Sequence, residues 1–268
     1  MNLQEAHYRS GTDYRVGSPH LQHWSVHSML TGVIVDSITA TRARGLPATV
    51  LEIGAGHGGM TEAVLARGYQ VTATEMSQAS VRTLAERFGT NDRLRVVHDP
   101  DGSMQELGTA EFSTVLCCSV LHHIPDYLGF LQRALPRHLA AGGSMITVQD
   151  PLRYDRMPAL SHRLDRAAYL TWRMATQGNR LAGLATLARR VRGAYDASKP
   201  GDMIEYHVVR NGVDADALLS WLERHFEEVS VLRYWSNQSA LAQRLGERLR
   251  ITNTFALQAK GYRKAATG

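Results

Sequence analysis

The stretch from Thr49 to Thr61, TVLEIGAGHGGMT, limits what this chain can fold into more than any other part of it. Thr49, Val50, Leu51 and Ile53 are β-branched or apolar, the composition of a strand buried on both faces of a parallel sheet. Gly54, Ala55, Gly56, His57, Gly58 and Gly59 then remove nearly all side-chain bulk, and residues 60–66 read as a helix. A strand, a glycine loop and a helix start, in that order, let backbone N–H groups approach a ligand closely, because glycine has no Cβ and accepts positive φ. The loop is suited to a nucleotide-like cofactor.

Two cofactor patterns overlap here. Gly54, Gly56 and Gly59 satisfy G-x-G-x-x-G, the dinucleotide pattern, while Glu52, Gly54, Gly56 and Gly58 satisfy E/D-x-G-x-G-x-G, the pattern of S-adenosylmethionine (SAM) enzymes. Glu52 favours SAM, since a carboxylate before the loop suits the ammonium of a methionine moiety and sits awkwardly beside a pyrophosphate. Glu75 closes the next strand, at the place where either cofactor wants an acid for its ribose hydroxyls.

Further on, VLEIGAGHG, TATEMS, VVHDPDG, FSTVLCCSVLHHIPD and AAGGSMITVQDP follow the motif order of the class I SAM-dependent methyltransferases. Over residues 49–151 the chain resembles the small-molecule group that includes the ubiquinone/menaquinone and phosphoethanolamine methyltransferases. The resemblance implies a Rossmann-like α/β fold: a seven-stranded, mostly parallel sheet with an antiparallel last strand, an N-terminal helix and a helical cap insertion. It implies SAM as cofactor, held by Glu52, Gly54, Gly56, Gly58, Glu75, Met76, Asp99 and Cys118. In the family the acid at Asp99 contacts the adenine amino group, and the next backbone N–H meets a ring nitrogen. Here the next residue is Pro100, which has no N–H, so either Asp99 keeps the amino contact alone or Asp101 and Gly102 take over the pair. His123 matches the histidine that, in the phosphoethanolamine methyltransferases, deprotonates or orients the acceptor with an N-terminal tyrosine; Tyr14 and Tyr8 are the candidate partners. Asp150, after the strand expected at 144–149, and His207 are reserve bases, although an acid before Pro151 is as readily a turn-former.

The expected division is an N-terminal arm and helix at 1–45, a SAM-binding core at 46–151, a helical cap at 152–203 and the C-terminal part of the core sheet at 204–268. Ser18–Pro19 is a helix start, and one helix is expected from there through the WSVHSMLTGVIVDSITATRA run. His20, His23 and His27 share a face of it; no carboxylate or thiolate joins them, so a polar packing face is preferred to a metal site. Two amphipathic helices, broken near Gln177–Asn179, are expected in the cap. The helix 215–225, the strands 228–234 and 252–259 and a basic helix around 241–249 complete the chain.

Charge is concentrated in one place. The formal net charge is +5, yet nine arginines between Arg153 and Gly193 face only Asp155 and Asp165, a local excess that leaves the remainder slightly acidic. Cys117 and Cys118 are adjacent inside a strand, a spacing that fits neither a metal site nor a disulfide framework. With no apolar run of membrane-spanning length, a cytoplasmic protein is the default expectation. The reading that follows is methyl transfer to an O or C atom of a small, partly apolar acceptor, with a homodimer through the cap or the N-terminal helix as the expected assembly. The rivals are a nucleic-acid methyltransferase, suggested by the arginines but lacking an N/D-P-P-Y/F motif after the fourth strand, and a protein of the same fold that transfers no methyl group; a nicotinamide enzyme fits Glu52 and the later motifs poorly.

Overall fold

The computed structural model describes residues 18–176 and 212–264. In chain order the elements are α1 (Pro19–Gln22), α2 (Trp24–Ala43), β1 (Thr49–Ile53), α3 (Gly59–Leu65), β2 (Gln70–Glu75), α4 (Gln78–Phe88) and β3 (Leu94–His98). They continue with β4 (Phe112–Cys118), α5 (Tyr127–His138), β5 (Leu139–Pro151), α6 (Ala159–Thr176), α7 (Ala215–His225), β6 (Phe226–Tyr234), α8 (Ala240–Leu249) and β7 (Thr254–Tyr262). The strands form one seven-stranded sheet in the order β3-β2-β1-β4-β5-β7-β6. All pairings are parallel up to β5, and β7 runs antiparallel to both its neighbours, as the sequence predicts.

Apolar runs in these strands are continuous because both faces are covered. Successive residues point to opposite faces. Val50, Leu116, Ile146, Val148 and Ala256 pack under Leu30, Ile34 and Ile38 of α2 and Met60 and Val64 of α3. Leu51, Val115, Cys117, Met145 and Leu257 pack under Leu131 and Leu135 of α5 and Leu218, Trp221 and Leu222 of α7. Each such fully buried aliphatic side chain contributes about 1.5–3 kcal/mol relative to exposure.

Three boundaries differ from expectation. The single helix after Ser18 is broken at His23, which is extended (φ −100°, ψ 113°) and whose Nε2 lies 2.8 Å from the Asn237 carbonyl; a tertiary contact of the ring overrides local helix propensity. The turn expected at 140–143 lies within β5, where the β4 register jumps from Phe112↔Leu139 to Thr114↔Ser144. The last two strands begin at Phe226 and Thr254 because β6–β7 pairing runs from Phe226↔Tyr262 to Tyr234↔Thr254. Asp214 caps α7 as predicted, its carboxylate accepting from Ala217 N–H at 3.0 Å. A helix, α6, stands where the first of the two helices after Pro151 is expected; the break near Gln177 and the second helix lie outside the described residues. No described helix is long and apolar enough to cross a membrane.

Candidate active site

Strand order reverses direction at β1 and β4, and the carboxyl ends of two such strands are the usual ligand position in open parallel sheets. The glycine loop leaves β1 at this point. Gly54 (φ 67°) and Ala55 both donate to the Thr74 carbonyl, at 2.9 and 3.1 Å, which pulls the loop against β2. A Cβ on Gly54 would stand 2.7 Å from Val120 Cγ2, so glycine here answers a close approach as well as a positive φ. Gly56 is different: a Cβ there would meet nothing within 4 Å, so the loop borders open space. Gly58 forms the N-cap of α3.

Buried acids tie the loop down. Glu75 accepts from Gly56 N–H at 2.8 Å and Ser77 N–H at 2.9 Å, joining the loops that follow β1 and β2. Burial pushes its pKa up, opposed by these hydrogen bonds. Glu52 is 2% exposed and lies beneath the loop, accepting from Thr61 Oγ1 at 2.6 Å; burial pushes its carboxyl to about 7. Met76 stands exposed beside Glu75. Asp99 turns inward, accepting from Met104 N–H at 3.1 Å, and Asp101 accepts from Ser103 N–H at 2.9 Å. Both acids thus order the turn that follows Pro100, and neither adenine arrangement expected from the sequence is singled out by these bonds.

At the ends of β4 and β5 the backbone is strained: Ser119 and Gln149 have φ of 57° and 64°. Beyond Ser119, His122 and Asp150 form a buried pair. His122 Nδ1 lies 2.6 Å from Asp150 Oδ1, which also accepts the His122 N–H at 3.2 Å, while Thr147 Oγ1 donates to Oδ2 at 2.7 Å. Asp150, expected as a reserve base, is fully buried, with its carboxylate turned to the His122 ring and the Thr147 hydroxyl. The His123 ring is partly exposed and its centroid lies 4.1 Å from that of His122. A cavity of about 230 Å³ borders His122 together with Leu121, Ile124, Pro125, Tyr127 and Gly212. The sequence named His123 and passed over His122; the signal was the acid near the end of β5, whose parallel register with β4 brings the two strand ends together.

The three N-terminal histidines go to separate partners. His23 reaches Asn237, His27 Nδ1 lies 3.2 Å from the His20 carbonyl, and His20 Nε2 lies 3.8 Å from Cys118 Sγ. Among the described residues no group of three metal-ligating side chains converges. Tyr8, Tyr14 and His207 lie outside the described residues.

The donor set fits an adenosine-bearing cofactor. Open space at Gly56 adjoins Glu75, whose carboxylate accepts the Gly56 N–H, and Glu52 is a buried acid in the strand that leads into the loop.

Residues 51–145 match a family model described as a methyltransferase domain. The ubiquinone biosynthesis O-methyltransferase of Psychrobacter arcticus is 27% identical over 130 residues, 47% of this chain and 50% of that protein. The probable ribosomal RNA small subunit methyltransferase A of Methanococcoides burtonii is 30% identical over 37% of this chain and 34% of its own length. The chain thus spans about half the length, or less, of these curated relatives. Among solved structures, the plantazolicin methyltransferase BpumL in complex with SAH aligns over 97% of this chain and 94% of that one, at a TM-score of 0.57 and 13% identity. A putative sarcosine dimethylglycine methyltransferase from Galdieria sulphuraria aligns over 96% of both chains, at 0.55 and 14%. The matched segment is thus a methyltransferase domain, and the strand order with its antiparallel β7 belongs to a fold that the chain shares with these solved methyltransferases.

Proposed function

We propose that the protein transfers a methyl group from SAM to a hydroxyl of a small, partly apolar acceptor. The observation that carries this reading is the Gly54–Gly56 loop, latched by Glu75 and bordering open space at the carboxyl ends of β1 and β4. The relatives named as ubiquinone biosynthesis O-methyltransferases support an oxygen acceptor, and the SAH bound by the plantazolicin enzyme supports the cofactor. SAM, when bound, supplies a methyl group on a sulfonium sulfur. The chain's own task is then to align, exclude water and take a proton. Glu75 would receive the ribose hydroxyls, Met76 and Asp99 the adenine, and Glu52 the positive end of the ligand. Asp150 holds the His122 ring and favours hydrogen on Nδ1, which leaves Nε2 as the basic nitrogen. His122 at the cavity and His123 beside it are the two candidate bases for the acceptor hydroxyl.

The test is isothermal titration with S-adenosylhomocysteine and, separately, NADH, on the wild type and Glu75→Ala. Micromolar binding of the former, lost in the variant, is the expected result; NADH binding without it would refute the reading. A second reading, methylation of RNA, is favoured by the ribosomal RNA methyltransferase relatives. Steep weakening of RNA binding with salt would support it, since phosphate contacts release counterions.

A further inference from the structure

His20 sits where the cofactor reading needs a wall. Helix α1 packs against the start of α3, where the glycine loop ends, for a Cβ on Gly59 would stand 2.5 Å from Leu21 Cδ2. The His20 ring touches Cys118, the last residue of β4, and Cys117 is the register partner of Ile53, the residue before the loop. The ring therefore stands at the mouth between β1 and β4. It is 7% exposed, and its Nδ1 has no hydrogen-bond partner among the described residues. A buried polar nitrogen left unpaired costs stability that a ligand can restore. Burial, with His27 adding to it, lowers the imidazole pKa to about 4, so the ring is neutral at pH 7. The unprotonated ring coexists with a cation as an imidazolium would not. Glu52, under the same loop, is the complementary group.

We infer that His20 forms the wall of the pocket for the amino-acid end and sulfonium of SAM, with Nδ1 satisfied by the ligand's ammonium–carboxylate end. This rests on the cofactor reading above. SAM and S-adenosylhomocysteine share that end and differ in the positive charge on sulfur, so a wall residue affects them differently from a packing residue.

The experiment is titration of the full chain and three variants with each ligand, with thermal unfolding to verify the fold. In His20→Leu both ligands should weaken about tenfold, the loss of one hydrogen bond to a charged group. In His20→Lys the fixed charge should raise the ratio of the SAM Kd to the S-adenosylhomocysteine Kd about tenfold or more; in His20→Gln that ratio should stay at the wild-type value. The wild-type His20 side-chain nitrogen resonances should also move on adding S-adenosylhomocysteine, a readout that needs no variant to fold. Folded His20→Leu with wild-type affinities, an unchanged ratio in folded His20→Lys, or unmoved resonances would overturn the assignment. A wild type that binds neither ligand sinks the cofactor reading, and this wall with it.

Discussion

Replacing Glu52 by glutamine should make the protein more stable at pH 8 and hardly change it at pH 4. The carboxyl is buried beneath the glycine loop, and its folded-state value of about 7 stands above the ordinary 4.5 because burial disfavours the charge. The hydrogen bond from Thr61 opposes that rise, and the nearby Glu75 carboxylate adds to it. A raised acid binds its proton more tightly in the folded state, so stability falls as pH climbs from about 4.5 to about 7 and is flat beyond. At 1.36 kcal/mol per pKa unit the span corresponds to roughly 3 kcal/mol. Glutamine keeps an oxygen for Thr61 Oγ1 and carries no charge, so the variant lacks this loss. Urea unfolding at half-unit intervals from pH 4 to 8 gives both profiles. Glu75 and Asp99 are raised in the same direction and contribute to both, so the difference between the curves isolates Glu52. Subtracting one curve from the other should give a step of about 3 kcal/mol centred between 4.5 and 7. Parallel curves would refute the assignment of a neutral buried acid.

Gly54→Ala should destabilise by about 1–3 kcal/mol, combining a positive-φ penalty with the clash against Val120; adding Val120→Ala should recover the steric part in thermal unfolding, and no recovery would mean the φ requirement alone is responsible. Asp150→Leu should cost about 3 kcal/mol or more in denaturant midpoint experiments, since it strands His122 and the Thr147 hydroxyl, whereas Thr147→Val should cost about 1 kcal/mol; equal losses would contradict an Asp150-centred pair.

What the chain declares openly is local. The strand–glycine–helix run, the acid closing β2 and the order of the five motifs depend on short-range constraints: which residues tolerate positive φ, and which faces must be apolar. The site's less legible parts come from distant segments meeting. Nothing near His122 marks it above His123 until β4 and β5 pair in register and bring Asp150 behind it. The break at His23 likewise follows from Asn237, more than two hundred residues away along the chain. Asp150 itself reads equally well as a base or a turn-former, because the alternation that sends a side chain inward depends on the register jump with β7 between Val148 and Asp150.

The position of β7 has a consequence for how such a chain reaches its fold. The strand that comes last in sequence is inserted between β5 and β6 and is hydrogen-bonded to both. During synthesis, β1 to β5 can zip together from their own short crossovers, but β5 keeps a bare apolar edge and β6 has no partner until residues 254–262 emerge. Two unpaired edges for that interval are an invitation to pair with another nascent chain. Completion of the sheet, and burial of Phe255 and Leu257 on the α7 side, is therefore a late and long-range event, so the glycine loop is made early and set on its finished foundation only at the end.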